Sequence, residues 1–130
     1  MPDGGQAAIK EEVVAAAINL AEKLACFDEH WAPRIVGSFN GHDLMVVKVQ
    51  GEFVWHDHQD TDDFFMVLKG ALTIEMPDGA VSLGPGEIFV VPRGVQHRPI
   101  AEEETHILLI EPAGTPNTGD AATAVVKLAI

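Results

Sequence analysis

Turn-forming residues divide the chain after Pro33 into short runs rich in β-branched and apolar residues. The dipeptide 40–41 (NG) has the composition of a two-residue type I′ hairpin turn, and 77–79 (PDG) and 84–86 (GPG) mark two further turns. The runs between such signals have the length of strands rather than of helices. The predicted strands are 34–39, 42–50, 52–58, 63–69, 71–76, 80–83, 87–91, 95–100 and 105–111. Strands at this spacing predict an all-β fold, either a small closed barrel or a two-sheet jelly roll.

The N-terminal segment has a different pattern. Over residues 6–25, apolar residues such as Ile9, Leu20 and Leu24 recur at steps of three and four, which predicts an amphipathic helix. Its apolar face would pack against the barrel or against a second subunit. The sequence therefore predicts two units, an N-terminal helical extension (1–30) and a single barrel domain (31–130).

Composition limits the partners that such a chain can have. The chain has 130 residues, enough for one domain with its own core. Eight basic residues against 20 acidic residues give a net charge of −12, which disfavours nucleic acid and anionic membranes as partners. Cys26 is the one cysteine, so no intramolecular disulfide can form, as suits a reducing compartment. The N-terminus lacks a signal-peptide pattern, and no apolar run could cross a bilayer. We expect a cytoplasmic protein.

Two histidines stand one residue apart in the stretch 55–63, WHDHQDTDD. Successive side chains of a strand point to opposite faces, so His56 and His58 would face the same side of the predicted strand 52–58. Two neutral imidazoles that meet at one point begin a binding site for a metal such as Zn, Ni, Fe or Mn. His97, early in a later strand, is the best third candidate. From the pair alone, a solvated acidic turn remains the alternative.

Two longer motifs resemble those of the cupin family. Residues 51–70, GEFVWHDHQDTDDFFMVLKG, resemble the first cupin motif: a glycine, an HxH pair, an acid four or five positions later, and a second glycine after six more residues. Residues 86–97, GEIFVVPRGVQH, resemble the second motif: a glycine, five residues, PxG, two residues and a histidine. With the flanking strand pattern, the likeness extends over about 34–112. The resemblance implies a cupin-type β-barrel, which is a double-stranded β-helix or jelly roll.

The resemblance also implies one divalent transition metal inside the barrel: Fe, Mn, Ni or Zn. Its ligands would be the HxH pair, the histidine of the second motif and an acid. Counting back from the closing glycine places that acid at Asp63. The family usually has Glu at this position, and Asp is one methylene shorter. Asp62 is the neighbouring alternative but would face the other side of the strand, and a water could replace the carboxylate. The predicted metal ligands are His56, His58, Asp63 and His97.

The barrel interior around the metal is expected to be apolar. With Asp63 pointing inward, the alternation of the strand turns Phe65 and Val67 inward as well. The facing wall would come from one of the two alternating sets of residues in 87–91. His106 lies in a strongly apolar run, where a hydrogen-bonded core or barrel-lining position is expected rather than ligation. The predicted pocket-lining residues are Phe65, Val67, Phe89, Val91 and His106.

The resemblance leaves three functions open, because one fold supports many activities. The first is a metal-dependent oxygenase, in which three histidines leave positions on Fe or Mn for O₂ and a small-molecule substrate. The second is a sugar or sugar-phosphate isomerase similar to mannose-6-phosphate isomerase, in which Zn polarises a carbonyl. The third is a non-catalytic module that binds or senses a small ligand. Because cupins are often homodimers and Trp55 is expected to face outward, we also expect a homodimer.

Overall fold

The computed structural model describes residues 16–130, in which strands predominate. One short helix, α1 (Leu20–Leu24), precedes the strands. These are β1 (Arg34–Phe39), β2 (His42–Glu52), β3 (Asp63–Lys69), β4 (Leu72–Met76), β5 (Gly79–Leu83), β6 (Ile88–Val91), β7 (Arg98–Pro112) and β8 (Leu128–Ala129). They form one sheet in the order β5-β4-β7-β2-β1-β8, in which β3 pairs with both β6 and β7. The all-β architecture with a minor N-terminal helix is confirmed.

The longest strand, β7, is the common partner of three others. Its 15 residues pair antiparallel with β2, β3 and β4. The sequence predicted two strands here, 95–100 and 105–111, because three consecutive glutamates lie between them. The glutamates are exposed and continue the extended backbone, so the two predicted strands are one. Thr105 and Ile107 point from β7 into the core, each at most 1% exposed.

The core lies inside the curved sheet. Ten buried apolar residues form its main cluster: Val47, Val49, Phe65, Val67, Leu72, Ile74, Leu83, Val91, Ala101 and Ile107. They come from β2, β3, β4, β5, β6 and β7, so most of the sheet contributes to one interior. Burial of these side chains is the main term that stabilises the fold, since each is worth about 1.5–3 kcal/mol.

Turn chemistry follows the sequence at the first hairpin. Asn40 and Gly41 have φ values of 51° and 75°, as the predicted type I′ turn between β1 and β2 requires. Gly51, with a φ of 87°, lies where the pairing of β2 with β7 shifts register, which marks a β-bulge.

Two further predicted elements are wrong in part. The predicted strand 52–58 is absent beyond Glu52, the end of β2; the segment that follows is irregular apart from a single bridge between His56 and His97.

The predicted helix over 6–25 lies partly outside the described residues. Within them, only Leu20–Leu24 is helical. Asn19 caps this helix, because its side-chain oxygen accepts a hydrogen bond of 3.0 Å from the Glu22 N–H, and Asn favours that position over a helix interior.

Helix α1 packs on the outside of the sheet. Leu24 joins Phe27, Val36 and Val46 in a second, smaller buried cluster. No helix within residues 16–130 is long and apolar enough to cross a membrane. The location of the protein in the cell stays a prediction.

Candidate metal centre

The structure brings together the four side chains that the sequence singled out as ligands. One nitrogen or oxygen atom from each of His56, His58, Asp63 and His97 lies within 4.8 Å of every other. All four residues are buried, with exposed fractions between 1% and 7%. Three imidazoles and one carboxylate at a single buried point could hold a metal ion.

Local backbone contacts position the histidines. His56 and His97 lie opposite each other, because the His56 N–H donates to the His97 carbonyl at 3.1 Å and the His97 N–H donates back at 2.9 Å. The Nδ1 of each ring donates to the carbonyl two residues earlier, Val54 for His56 and Val95 for His97, at 2.9 Å in both cases. These bonds direct the Nε2 of each ring into the cluster, as is usual for histidines that bind metal.

Asp63 is the first residue of β3, and its carboxylate lies between two of the rings. Its Oδ2 is 2.9 Å from His97 Nε2 and 3.3 Å from His58 Nε2. The His58 contact lacks hydrogen-bond geometry, so His58 Nε2 is a fully buried nitrogen without a hydrogen-bonding partner. Buried polar atoms rarely lack a partner. A cation shared by these nitrogens and the carboxylate would satisfy His58, so the residues fit a divalent transition metal.

The electrostatics favour the protonation state that ligation needs at His56 and Asp63 and oppose it at His58. Burial lowers the pKa of His56 to about 4, which keeps its ring neutral. Burial alone would raise the pKa of Asp63, but the close approach of His58 and the hydrogen bond with His97 hold it below its usual range. For His58, burial acts to lower the pKa, but the close approach and the negative charge of Asp63 raise it overall. Asp63 is therefore ionised. Of the two rings, His58 holds its proton more tightly than His56.

A second buried carboxylate, Glu111, lies beside the cluster, and the sequence analysis missed it. Its Oε2 is 3.9 Å from His58 Nε2, and its Oε1 is 3.1 Å from the ammonium of Lys127. Burial, together with the neighbouring charge of Asp63, raises the pKa of Glu111 to about 7. A signal was present in the sequence: Glu111 shares the inward face of β7 with Thr105 and Ile107, at steps of two.

Two neighbouring spaces adjoin the cluster. The inner cavity, of about 50 Å³, is bounded by His56, Asp63 and Glu111 and by mostly apolar side chains that include Phe65. The outer groove, of about 670 Å³, opens beside it. Four residues border both spaces: Trp31, Phe53, His56 and Asn117. The inner cavity has room for only a few water-sized molecules, whereas the groove has the size of a small-molecule site.

The predicted pocket-lining residues occupy three different places. Phe65 lines the inner cavity. Val67 and Val91 lie in the packed core, and Phe89 packs against that core, so these three support the site without lining either space. His106 lies in a different surface groove, beside α1, and its Nε2 is 3.3 Å from a carboxylate oxygen of Glu104. Its position does not agree with a pocket-lining role, because its neighbours on β7, Thr105 and Ile107, are the residues that point inward.

The chain resembles known proteins over most of its length. The family model described as "Cupin domain" (Cupin_2) matches residues 43–111. A cupin-2 domain containing protein of known structure from Shewanella frigidimarina is 46% identical, with a TM-score of 0.72, over 73% of this chain and 93% of that chain. "Uncharacterized protein YdbB" of Bacillus subtilis is 29% identical over 78% of this chain and 84% of its own length. A 3-hydroxyanthranilate 3,4-dioxygenase of Brucella anthropi is 34% identical over 64% of this chain and 50% of its own length.

The matched region includes both sequence motifs, the four buried side chains of the cluster and Glu111. The fold, the pairing of His56 with His97 and the family match therefore agree. This chain belongs to the cupin family, as a small barrel whose cluster of three histidines and one aspartate could hold a metal ion.

Proposed function

We propose that this cupin binds one divalent transition metal through His56, His58, Asp63 and His97 and catalyses the O₂-dependent oxidation of a small molecule. The observation that carries the metal site is the convergence of the four side chains, together with the buried and unpartnered Nε2 of His58. The oxidative chemistry is supported by the 34% identity to a protein named 3-hydroxyanthranilate 3,4-dioxygenase, of whose length this chain spans half.

Mixed imidazole and carboxylate ligands suit Fe or Mn, and a bound Fe(II) ion would supply the redox chemistry that O₂ requires. The residues of the chain prepare the site in three ways. Val54 and Val95 fix the orientation of two rings through their carbonyls. Asp63 provides the negative charge. Apolar side chains such as Phe65 exclude most of the water, which strengthens the interactions of a charged centre with its ligands.

The substrate is expected to bind in the outer groove, because the inner cavity is too small for it. The stacked rings of Trp31 and Phe53, with centroids 4.9 Å apart, form one wall of the groove where it meets His56. Polar groups on the rest of the rim include Gln96 and Thr118. An aromatic wall with a few polar groups suits a small planar molecule.

The charges around the site disfavour the sugar-phosphate isomerase. None of the described residues that line the cavity or the groove is Lys or Arg. Arg98 binds Glu75 at 2.7 Å and Glu52 at 3.2 Å on the outer side, and Arg93 is mostly exposed. A phosphate group would normally be held by such cations. The remaining alternative is a metal-binding module without catalysis.

Metal content and oxygen uptake test the proposal together. The untagged protein is analysed by mass spectrometry, reconstituted with Fe(II) without oxygen, and then mixed with O₂ and a panel of small hydroxylated aromatic compounds that includes 3-hydroxyanthranilate. We expect about one metal per chain and oxygen uptake with at least one compound. A protein that binds metal and aromatic compounds without consuming O₂ would instead be a binding module. A chain that retains no metal after reconstitution with Fe, Mn, Ni and Zn would contradict the metal site.

Metal affinity is expected to increase with pH. Because Asp63 raises the pKa of His58, a proton on that ring competes with the metal below neutral pH. Each displaced proton lowers the apparent affinity about tenfold per pH unit below the pKa of its group. We therefore expect affinity for Zn²⁺, measured by competition with a chelator corrected for its own protonation, to fall between pH 8 and pH 5.5. Constant affinity over this range would contradict the assignment of His58.

That the protein forms a homodimer stays a prediction. Trp55 is 45% exposed, as expected for an outward residue, and Ile88 and Val90 on β6 are exposed as well. These apolar side chains are available to a second copy of the chain.

A further inference from the structure

Glu111 is placed to take part in the metal site, although neither the cupin motifs nor the four-residue cluster includes it. It lies near the end of β7, is 3% exposed, and lines the inner cavity together with His56 and Asp63. Asp63 and Glu111 approach the same ring, His58, at 3.3 Å and 3.9 Å. Two buried carboxylates therefore lie next to one imidazole that lacks a hydrogen-bonding partner.

The two oxygens of Glu111 have different neighbours. Oε1 accepts a hydrogen bond of 3.1 Å from Lys127 Nζ, whereas Oε2 faces His58 Nε2. Lys127 is itself held, because it also donates to the Thr115 carbonyl and its side chain is 10% exposed. A carboxylate that binds a metal through one oxygen commonly has its other oxygen hydrogen-bonded in this way.

The distance to His58 agrees with a shared ion, although Glu111 lies outside the group whose ligand atoms are all within 4.8 Å of one another. Nitrogen and oxygen ligands lie about 2.0–2.2 Å from a divalent transition metal, so two ligands of one ion are roughly 3–4 Å apart. The separation of 3.9 Å between Glu111 Oε2 and His58 Nε2 falls in that range. The charges agree as well, because a cation between Asp63 and Glu111 would relieve the repulsion of two carboxylates that are buried side by side.

We propose that Glu111 is a fifth protein ligand, which binds the ion through Oε2 while Lys127 holds Oε1. The inference rests on the proposed metal centre and extends it. Asp63 is one methylene shorter than Glu, and Glu111 brings a second carboxylate to the site from β7. Two carboxylates with three imidazoles shift the preference of the site towards Mn and Fe and away from Zn, which favours four ligands.

The test compares Glu111→Gln with Glu103→Gln, which removes an exposed acid from the same strand. The probes are Mn²⁺ affinity and the visible absorption of the Co²⁺-substituted protein. We expect Glu111→Gln to weaken Mn²⁺ binding at least tenfold and to shift the Co²⁺ spectrum towards the stronger bands of four-coordinate sites. Glu103→Gln should leave both unchanged. Equal affinity and equal spectra for Glu111→Gln and the unaltered protein would overturn the inference while leaving the four-residue metal site intact.

Lys127→Gln provides a second test if Glu111→Gln does not fold. It leaves the Glu111 carboxylate in place and removes the cation that orients it. We expect weaker Mn²⁺ binding with a Co²⁺ spectrum that still indicates five or more ligands. A lower melting temperature with unchanged Mn²⁺ affinity would show that Glu111 and Lys127 form only a structural ion pair, and would overturn the inference. If the unaltered protein binds neither Mn²⁺ nor Co²⁺, the metal centre itself is wrong, and the role of Glu111 is overturned with it.

Discussion

Replacing both His56 and His58 with alanine is expected to abolish metal retention during purification. In small structural zinc sites, four protein ligands contribute about 10–16 kcal/mol of binding free energy, or roughly 3 kcal/mol per ligand. Loss of two ligands should therefore weaken binding by about 10⁴-fold. Both rings are buried within the cluster, so no nearby solvent-exposed side chain can replace them. Mass spectrometry of the purified proteins measures the difference as metal per chain.

A matched control is His30→Ala/His42→Ala, which also removes two imidazoles. The His30 ring binds Glu104 at 2.8 Å, and the His42 ring binds the Asn40 carbonyl at 2.9 Å, so both lie outside the cluster. This variant should keep its metal. Equal metal content in the two double variants would show that the metal is bound elsewhere on this acidic chain.

Gly70→Ala is expected to destabilise the fold by about 3 kcal/mol, from positive-φ strain and overpacking of roughly 1–2 kcal/mol each. Gly70 has a φ of 93°, which a residue with a Cβ rarely adopts. A Cβ there would lie 2.5 Å from Thr105 Oγ1 and 3.1 Å from Thr105 Cα, so β7 itself would have to move. The same hydroxyl donates to the Ala71 carbonyl at 3.0 Å and accepts from the Ala71 N–H at 3.2 Å. Displacement of Thr105 would weaken both of these hydrogen bonds.

Gly86→Ala separates strain from overlap in this experiment. Gly86 also has a positive φ, 83°, but nothing lies within 4 Å of its added Cβ. The Gly86→Ala variant should therefore lose only the free energy of the backbone strain, about 1–2 kcal/mol. Urea unfolding measures both free energies. The prediction fails if the two glycine variants lose the same stability, since the contact with Thr105 would then have no measurable cost.

The regular part of the fold was predictable because its signals are local. The NG turn at 40–41 joins β1 to β2 as expected, and β3 has the predicted bounds 63–69. The sequence failed at 52–58, where the alternating pattern does predict a strand. The ligand-bearing segment has no continuous partner strand; the bridge between His56 and His97 and isolated backbone bonds such as Gly94 N–H to the His58 carbonyl hold it in place. Such a pairing depends on tertiary contacts, which local propensity does not contain.

The candidate site was predictable to the extent that its residues lie in the two motifs. His56, His58, Asp63 and His97 were all named from spacing and family resemblance, and all four converge. Glu111 was not, because it comes from a strand outside both motifs and its neighbours on the inward face are uncharged. His106 was placed inward because its strand is apolar on both faces, which hides the alternation that sends it outward.

The many partners of β7 determine when a newly made chain can fold. On the ribosome, β2, β3 and β4 emerge well before β7, and until then their described pairings are with β1, β6 and β5 alone. At synthesis rates of about 5–20 residues per second, the unpaired edge of β3 is exposed to other nascent chains for a few seconds. The central pairings of the sheet can form only when residues 98–112 become available. The four residues that could hold a metal ion, His56, His58, Asp63 and His97, all precede this strand, so they emerge before the sheet that buries them is complete.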